Sequence, residues 1–501
     1  MKRIKDWRKN MYDFLDKYTK RKMKLVQLLL SEDRYWSLNE VAAYLNCSKK
    51  TVQADIRNLK NELLLWTPEI SLESSSKGYY LTKVPHFNSQ KIKIHYLQTS
   101  VSFSLFYHLF LGDIVSFTHF AKKQFISYSL MNKEVNLLKK ELMFYALSIS
   151  ANPPTLNGLE TQIRYYAQCF FWNSYSGIDW PFSETNREEL LGLILEIETL
   201  FEHPFNQIER EQIAYGIAIA RSRISRGFLI QEEIHFQNLT ALAPFDNQLI
   251  PLYKKMLANL ELTPQQLERE IEHLFSLMAI IPTATQPTQI IKKLLMNYEI
   301  QNPIYYQATK AFLNAFNQNV KTIDFDFQDP TLQFNLTSIH THAYFFIGLP
   351  THHISRTIIP ASQEAKDTLG KLYDDFFDTI KDDYELKNIF QQKEFLLSSY
   401  APHLMPYLDR NYYEKKIRIQ IISNNGRHYE SKLKRDLIDY YNFNIEIVSS
   451  FEDTATIDLI LTDVMTTQSL NSLNCFLWSS TPSRGDWDRL TNHLKKLIDH
   501  A

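Results

Sequence analysis

Cysteine is scarce in this chain: there are three in 501 residues, Cys47, Cys169 and Cys475, far apart and mostly inside apolar patterns. Such spacing excludes a disulfide framework and a cysteine-based metal site, and it fits a reducing compartment. Glycine is also rare, at 11 residues, which removes dinucleotide-binding loops. No Gly-x-x-x-x-Gly-Lys phosphate loop and no Gly-x-Ser-x-Gly elbow occurs either. No apolar run approaches the roughly 18 residues that a membrane helix requires, and the charged N-terminus leads into no apolar signal core. The carboxylates are scattered and read most simply as solvated helix faces. The expectation is a cytoplasmic protein that is not an enzyme, needs no cofactor or metal and engages no membrane.

What is present is mostly amphipathic helix. The chain is 44% hydrophobic and 22% charged, ordinary for a globular protein, and is long enough for roughly three to five domains. Net charge is -1, yet residues 1–60 hold 15 Lys and Arg against 7 Asp and Glu. A basic end on a neutral chain points to nucleic acid at that end.

Within that end, Ser37–Leu64 reads as helix, tight turn, helix. Leu38, Val41, Ala42 and Leu45 repeat at helical spacing, Asn46 and Cys47 turn the chain, and Ser48 suits an N-cap. In the second helix Val52, Ile56, Leu59 and Leu63 form a buried stripe. This leaves Lys49, Lys50, Gln53, Ala54 and Arg57 on other faces, with Ser48 and Thr51 at the helix start, as the set expected on DNA. Lys49 and Lys50 occupy the first turn, where the helix dipole disfavours cations by roughly 0.3–1 kcal/mol each; an external polyanion makes that placement useful. A wing follows, with strands at Ile70–Leu72 and Tyr79–Leu81 around a turn that carries Lys77. The alternative is a solvated basic turn on an ordinary helical hairpin.

A shift of about 79 residues lays Ser48, Leu59, Lys60, Glu62 and Leu63 over Ser127, Leu138, Lys139, Glu141 and Leu142, with Gly78 one residue from Gly158. The spacing predicts a second winged helix with a recognition-type helix from Ser127. Its outward residues are Tyr128, Asn132, Lys133 and Asn136, with Lys122 and Lys123 just upstream; packing or dimerisation is the alternative use. Two all-helical regions follow, running to glycines at Gly227 and Gly348 and separated near Pro282–Pro287. The last hundred residues alternate strands (417–423, 443–448, 457–462, around 475–477) with helices, which implies a small parallel sheet. The expected fold is therefore mostly α and multidomain. It comprises winged helix-turn-helix domains at 1–85 and 86–160, helical domains at 161–284 and 285–405, and an α/β domain at 412–501.

In this order of parts the chain resembles the Mga/AtxA-type virulence regulators of Gram-positive bacteria. In that family two DNA-binding domains precede two phosphotransferase-system regulatory domains (PRDs) and a IIB-like domain. The resemblance implies a regulator of virulence or carbohydrate-linked genes that binds double-stranded promoter DNA and forms a homodimer or larger assembly through its C-terminal half. It also implies phosphocarrier proteins of the phosphotransferase system as further partners. The usual phosphoacceptor positions of PRDs fall here on Gly216 and Thr337, so the expected acceptors are His203 and His340, then His273; each could equally be a histidine without that role. A working IIB domain carries a cysteine after its first strand, whereas this loop reads Ser423-Asn424-Asn425-Gly426. It retains the makings of an anion-binding loop but not of a phosphoryl relay. The competing readings are a phosphorylation sensor acting through protein contacts and an RNA-binding antiterminator, the latter disfavoured because such proteins lead with a small β domain.

Overall fold

Apolar stripes at helical spacing, most of them opened by a hydroxyl cap, account for the N-terminal architecture. The computed structural model describes residues 17–202, 204–231, 246–282, 284–348, 363–409, 412, 416–441, 443–448, 457–464 and 474–499. Helix α1 (Lys17–Ser31) buries Met23, Leu25, Val26, Leu28 and Leu29. Helix α2 (Leu38–Leu45) opens on a reciprocal cap: the Ser37 hydroxyl accepts from the Glu40 amide, and the Glu40 carboxylate accepts from the Ser37 amide. Those bonds to Ser37, helped by Arg34, hold the Glu40 carboxyl down at about 2. Helix α3 (Lys49–Glu62) leads to an antiparallel wing of β1 (Ile70–Ser75) and β2 (Gly78–Lys83). Only glycine fits at 78. Its φ is +125°, and a Cβ there would lie 2.2 Å from the Trp36 carbonyl oxygen, where Trp36 and Tyr79 exchange backbone hydrogen bonds that pin the wing.

The pattern then recurs in α4 (Gln90–Gln98), α5 (Val101–Leu111), α6 (Phe117–Lys123), α7 (Tyr128–Leu142) and the two-residue strands β3 (Ser148–Ile149) and β4 (Leu156–Asn157). Helix α5 is apolar on almost every side and has to be enclosed. Its Phe103, Phe106 and Phe110 pack on Tyr166, Phe170 and Phe171 of α8 (Glu160–Tyr175), with the Phe106 and Phe170 rings 4.2 Å apart. The segments on either side of residue 160 therefore share one aromatic core. Helices α9 (Arg187–Phe201), α10 (Gln207–Ile224), α11 (Asp246–Met256), α12 (Pro264–Ala279) and α13 (Gln289–Gln301) belong to the same compact unit, 1–301 with 345–351. The unit thus runs past the helical boundary expected at 284/285. Gly227 and Gly348 adopt positive φ but lie beyond the ends of their helices.

The second unit, 302–344 with 352–501, begins with α14 (Ile304–Asn319), α15 (Pro330–Phe345), α16 (Gln363–Ile380), α17 (Tyr384–Phe390) and α18 (Lys393–Leu404). Its last part is a four-stranded sheet of β5 (Ile417–Ile422), β6 (Ile445–Val448), β7 (Leu459–Thr462) and β8 (Cys475–Leu477), all parallel, in the order β6-β5-β7-β8. Helices α19 (Arg427–Tyr440) and α20 (Arg484–Asp499) bury Leu433, Leu437, Leu490 and Leu494 against Ile417, Ile419, Ile421, Leu459 and Leu461. Among the described residues no helix is long and apolar enough to cross a membrane.

Candidate nucleic-acid interface

The first helix-turn-helix is built from its buried side outward. Val52, Ile56, Leu59 and Leu63 are buried, which fixes how α3 lies on α1 and α2. Asp55 is also buried, at 1% exposure. Its carboxylate takes a bidentate ion pair from Arg21 of α1 at 2.5 and 2.9 Å, which holds the guanidinium pKa above its ordinary value. Lys22 bonds Glu62 at 2.5 Å, and Asn58 donates to the Tyr18 hydroxyl. Sequence reasoning missed Asp55, although its position within the buried stripe was a usable signal: a carboxylate there needs a cation.

Of the expected contact residues, Lys49, Lys50, Gln53, Ala54 and Arg57 are exposed along α3, and Lys77 is exposed at the wing tip. Ser48 and Thr51 are placed differently. The Ser48 hydroxyl caps the Thr51 amide and bonds the Thr51 hydroxyl at 2.8 Å, so both side chains already serve the helix start.

The second helix-turn-helix repeats this frame closely. Ser116 caps α6 as Ser37 caps α2, and Ser127 caps α7 as Ser48 caps α3. Phe125 takes the left-handed turn position (φ 54°) that Asn46 takes in the first copy (φ 48°). The side chain at the turn matters little, because the tight backbone is closed by Ile126 N to Ala121 O as by Cys47 N to Ala42 O. Lys122, Lys123, Tyr128, Asn132 and Lys133 are all exposed, and so is Phe125 at 97%. Beneath them Met131, Val135, Leu138 and Leu142 are buried.

The histidines fall elsewhere. His203 lies outside the described residues. His340 is fully buried on α15, with Nδ1 bonded to Thr309 Oγ1 at 2.7 Å and Nε2 to the Tyr400 hydroxyl at 2.5 Å. His273 on α12 is 1% exposed, and neither ring nitrogen has a hydrogen-bond partner among the described residues; burial, then the charge of Arg164, pushes its pKa well down. A phosphoryl donor reaches neither ring in this conformation. The two usual acceptor positions are interior as well. Thr337 is buried and donates to the Gln333 carbonyl. A Cβ on Gly216 would sit 2.7 Å from Leu277 Cδ1, so the glycine lets α12 pack close to α10. Gly216→His is therefore expected to lower stability by about 1–3 kcal/mol or more through overpacking and to create no phosphoacceptor. Thermal melting and a phosphoenolpyruvate labelling assay check both parts.

The loop after β5 departs from the expected anion site, because its donors are already taken. Asp463 accepts from the Ser423 hydroxyl at 2.9 Å and the Asn424 amide at 2.7 Å, and Glu430 accepts from the Ser423 amide at 3.0 Å. Internal carboxylates stand where an anion would be received.

Comparison with known proteins follows the same division of the chain. Residues 16–67 match the M protein trans-acting positive regulator (MGA) HTH domain, and residues 85–171 match the Mga helix-turn-helix domain. A putative trans-acting regulator of Streptococcus pneumoniae is 24% identical over 44% of this chain and 44% of its own length. The capsule synthesis positive regulator AcpA of Bacillus anthracis is 28% identical over 43% of this chain and 44% of its own. The anthrax toxin expression trans-acting positive regulator of Bacillus anthracis is 22% identical over 41% of this chain and 43% of its own. The matched part thus spans under half the length of these relatives. Residues 16–171 thus carry, in order, two helix-turn-helix domains of the Mga type, and the relatives the chain resembles are named as trans-acting or positive regulators.

Proposed function

We propose that the protein is a DNA-binding regulator of transcription that acts positively, as the names of its relatives describe them, on virulence or carbohydrate-linked genes. One observation carries this reading: an exposed row of Lys49, Lys50 and Arg57, without partners among the described residues, on a helix held rigidly from behind. Cations in a helix's first turn are useful when an anion outside neutralises them. The second copy supplies Lys122, Lys123 and Lys133 on an equivalent frame. The proposal extends, from the order of parts along the sequence, to PRD-like helical domains at 161–284 and 285–405, a IIB-like domain at 412–501 and self-association through the C-terminal half. With His340 and His273 buried, control by a phosphocarrier is to be sought first at His203.

Anisotropy titration of a mixed-sequence duplex tests the reading. The Lys49/Lys50/Arg57 triple alanine variant is expected to bind roughly 30–100-fold more weakly at low salt. Its log–log salt dependence should be shallower by about 2–3, since each lost cation releases about one fewer counterion. Unaltered affinity would remove the recognition-helix assignment.

A further inference from the structure

The offset that relates Ser48 to Ser127 also brings a carboxamide to the same place in both heads, Gln53 in α3 and Asn132 in α7. We infer that Gln53 and Asn132 are the base-reading side chains of the two heads, each specifying an adenine in the major groove. This rests on the DNA-binding reading and goes beyond it by separating residues that read bases from those that hold phosphates.

The two frames coincide where it matters for side-chain direction. The cap residues have φ/ψ of -69°/150° at Ser48 and -70°/149° at Ser127. The first internal bonds, Val52 N to Ser48 O and Met131 N to Ser127 O, are both 3.0 Å. Val52 and Ile56 are buried in one head and Met131 and Val135 in the other. Positions 53 and 132 therefore leave the domain surface alike, early in the recognition helix, where side chains reach base edges.

Several neighbouring polar groups are used by the fold, and these two are not. Asp55 is paired with Arg21, Asn58 with Tyr18, and Glu134 with Ser102. Gln53 and Asn132 are exposed and make no hydrogen bond within the described chain. Other exposed positions of the first three turns differ between the heads: Lys49 against Tyr128, Lys50 against Ser129, Ala54 against Lys133, Arg57 against Asn136. Charge is not shared along this row, but the carboxamide is. A neutral amide releases no counterions. It does present a donor beside an acceptor, which matches N6 and N7 of adenine.

The test uses the full chain and a random-sequence duplex library, with enriched sequences read out and affinities followed against salt. The wild-type protein is expected to fix two A·T pairs. Gln53→Ala should erase one and weaken binding to the selected duplex roughly 5–100-fold, far more than to random duplex, with the salt slope unchanged because no charge is removed. Asn132→Ala should erase the other, and Gln53→Glu should turn the first towards cytosine, whose N4 offers a donor. The inference falls if the alanine variants still enrich both pairs, or if they lose affinity alike on selected and random duplexes. Salt-dependent binding without any base preference overturns it while leaving the DNA-binding reading intact. Absence of duplex affinity in the wild-type protein removes both.

Discussion

Replacing Arg164 with methionine is expected to destabilise the first unit by about 3–5 kcal/mol, the cost of breaking a buried ion pair from one side. Arg164 is 1% exposed and bridges two carboxylates: Nε donates to Glu160 at 2.9 Å, and Nη1 and Nη2 donate to Glu270 at 2.5 and 3.1 Å. Nη2 also donates to the Phe228 carbonyl. Burial works against the guanidinium's charge, but the two carboxylates outweigh it, and its pKa lies above the ordinary value. Glu160 is shared with Arg223, which donates to the Phe110 carbonyl at the end of α5. Methionine fills much of the space and supplies none of the donors, so Glu270, with 0% exposure, would be left as a buried charge bonded, among the described residues, by the Ile230 amide alone. Urea unfolding or calorimetry gives the loss, and Arg164→Met with Glu270→Gln should recover part of it, because the second change removes the stranded charge. Equal stabilities for wild type and Arg164→Met would mean that packing alone holds α5, α8 and α12 together. Because Arg223 ties α5 of the second helix-turn-helix to α8 and α10, a loss here should also reach duplex binding.

How legible these features are depends on the range of the interactions behind them. The stripe Val52-Ile56-Leu59-Leu63 and the Ser48 cap are local, and periodicity together with cap chemistry is enough to identify them. The parallel sheet is legible for the same reason, since Ile417–Ile422 and Leu459–Thr462 are short apolar runs bounded by polar turns. The second helix-turn-helix is only half visible as a repeat. Its caps and buried positions recur, but Phe125 replaces Asn46 at a turn where backbone geometry, not side-chain type, is preserved. Arg164 meets Glu270 across 106 positions, and nothing local distinguishes these charges from solvated ones. The same holds for Asp55, whose partner Arg21 is 34 residues away. Ser338-Ile339-His340-Thr341-His342 is polar at four of its five positions. It is interior because aromatic residues from α14, α17 and α18 close over it.

Acidification should weaken the second unit, with His340 a major cause. Burial among aromatic rings lowers its pKa to about 3, whereas in the unfolded chain it takes up a proton near 6.5. The neutral ring is satisfied in one arrangement. Thr309 donates its hydroxyl to the Tyr305 carbonyl, so it accepts from His340 Nδ1–H, and Nε2 accepts from the Tyr400 hydroxyl. A second proton on the ring would displace the Tyr400 bond and leave a charge among Phe312, Phe390 and Tyr400. Since the unfolded state binds more protons below 6.5, the contribution is complete above that pH and is lost progressively towards 3. Between pH 7.5 and 4.5 the expected loss from His340 is roughly 3 kcal/mol, at about 1.4 kcal/mol per pH unit below 6.5. His403, lowered by burial to about 4, adds in the same direction. The comparison that isolates His340 is the pH dependence of unfolding free energy in wild type and His340→Leu. The variant should be less stable at pH 7.5, where Thr309 and Tyr400 lose a partner, yet its stability should fall less steeply towards pH 4.5. Parallel pH profiles for the two proteins would show that the ring titrates as it does in water, and the buried neutral imidazole would have to be abandoned.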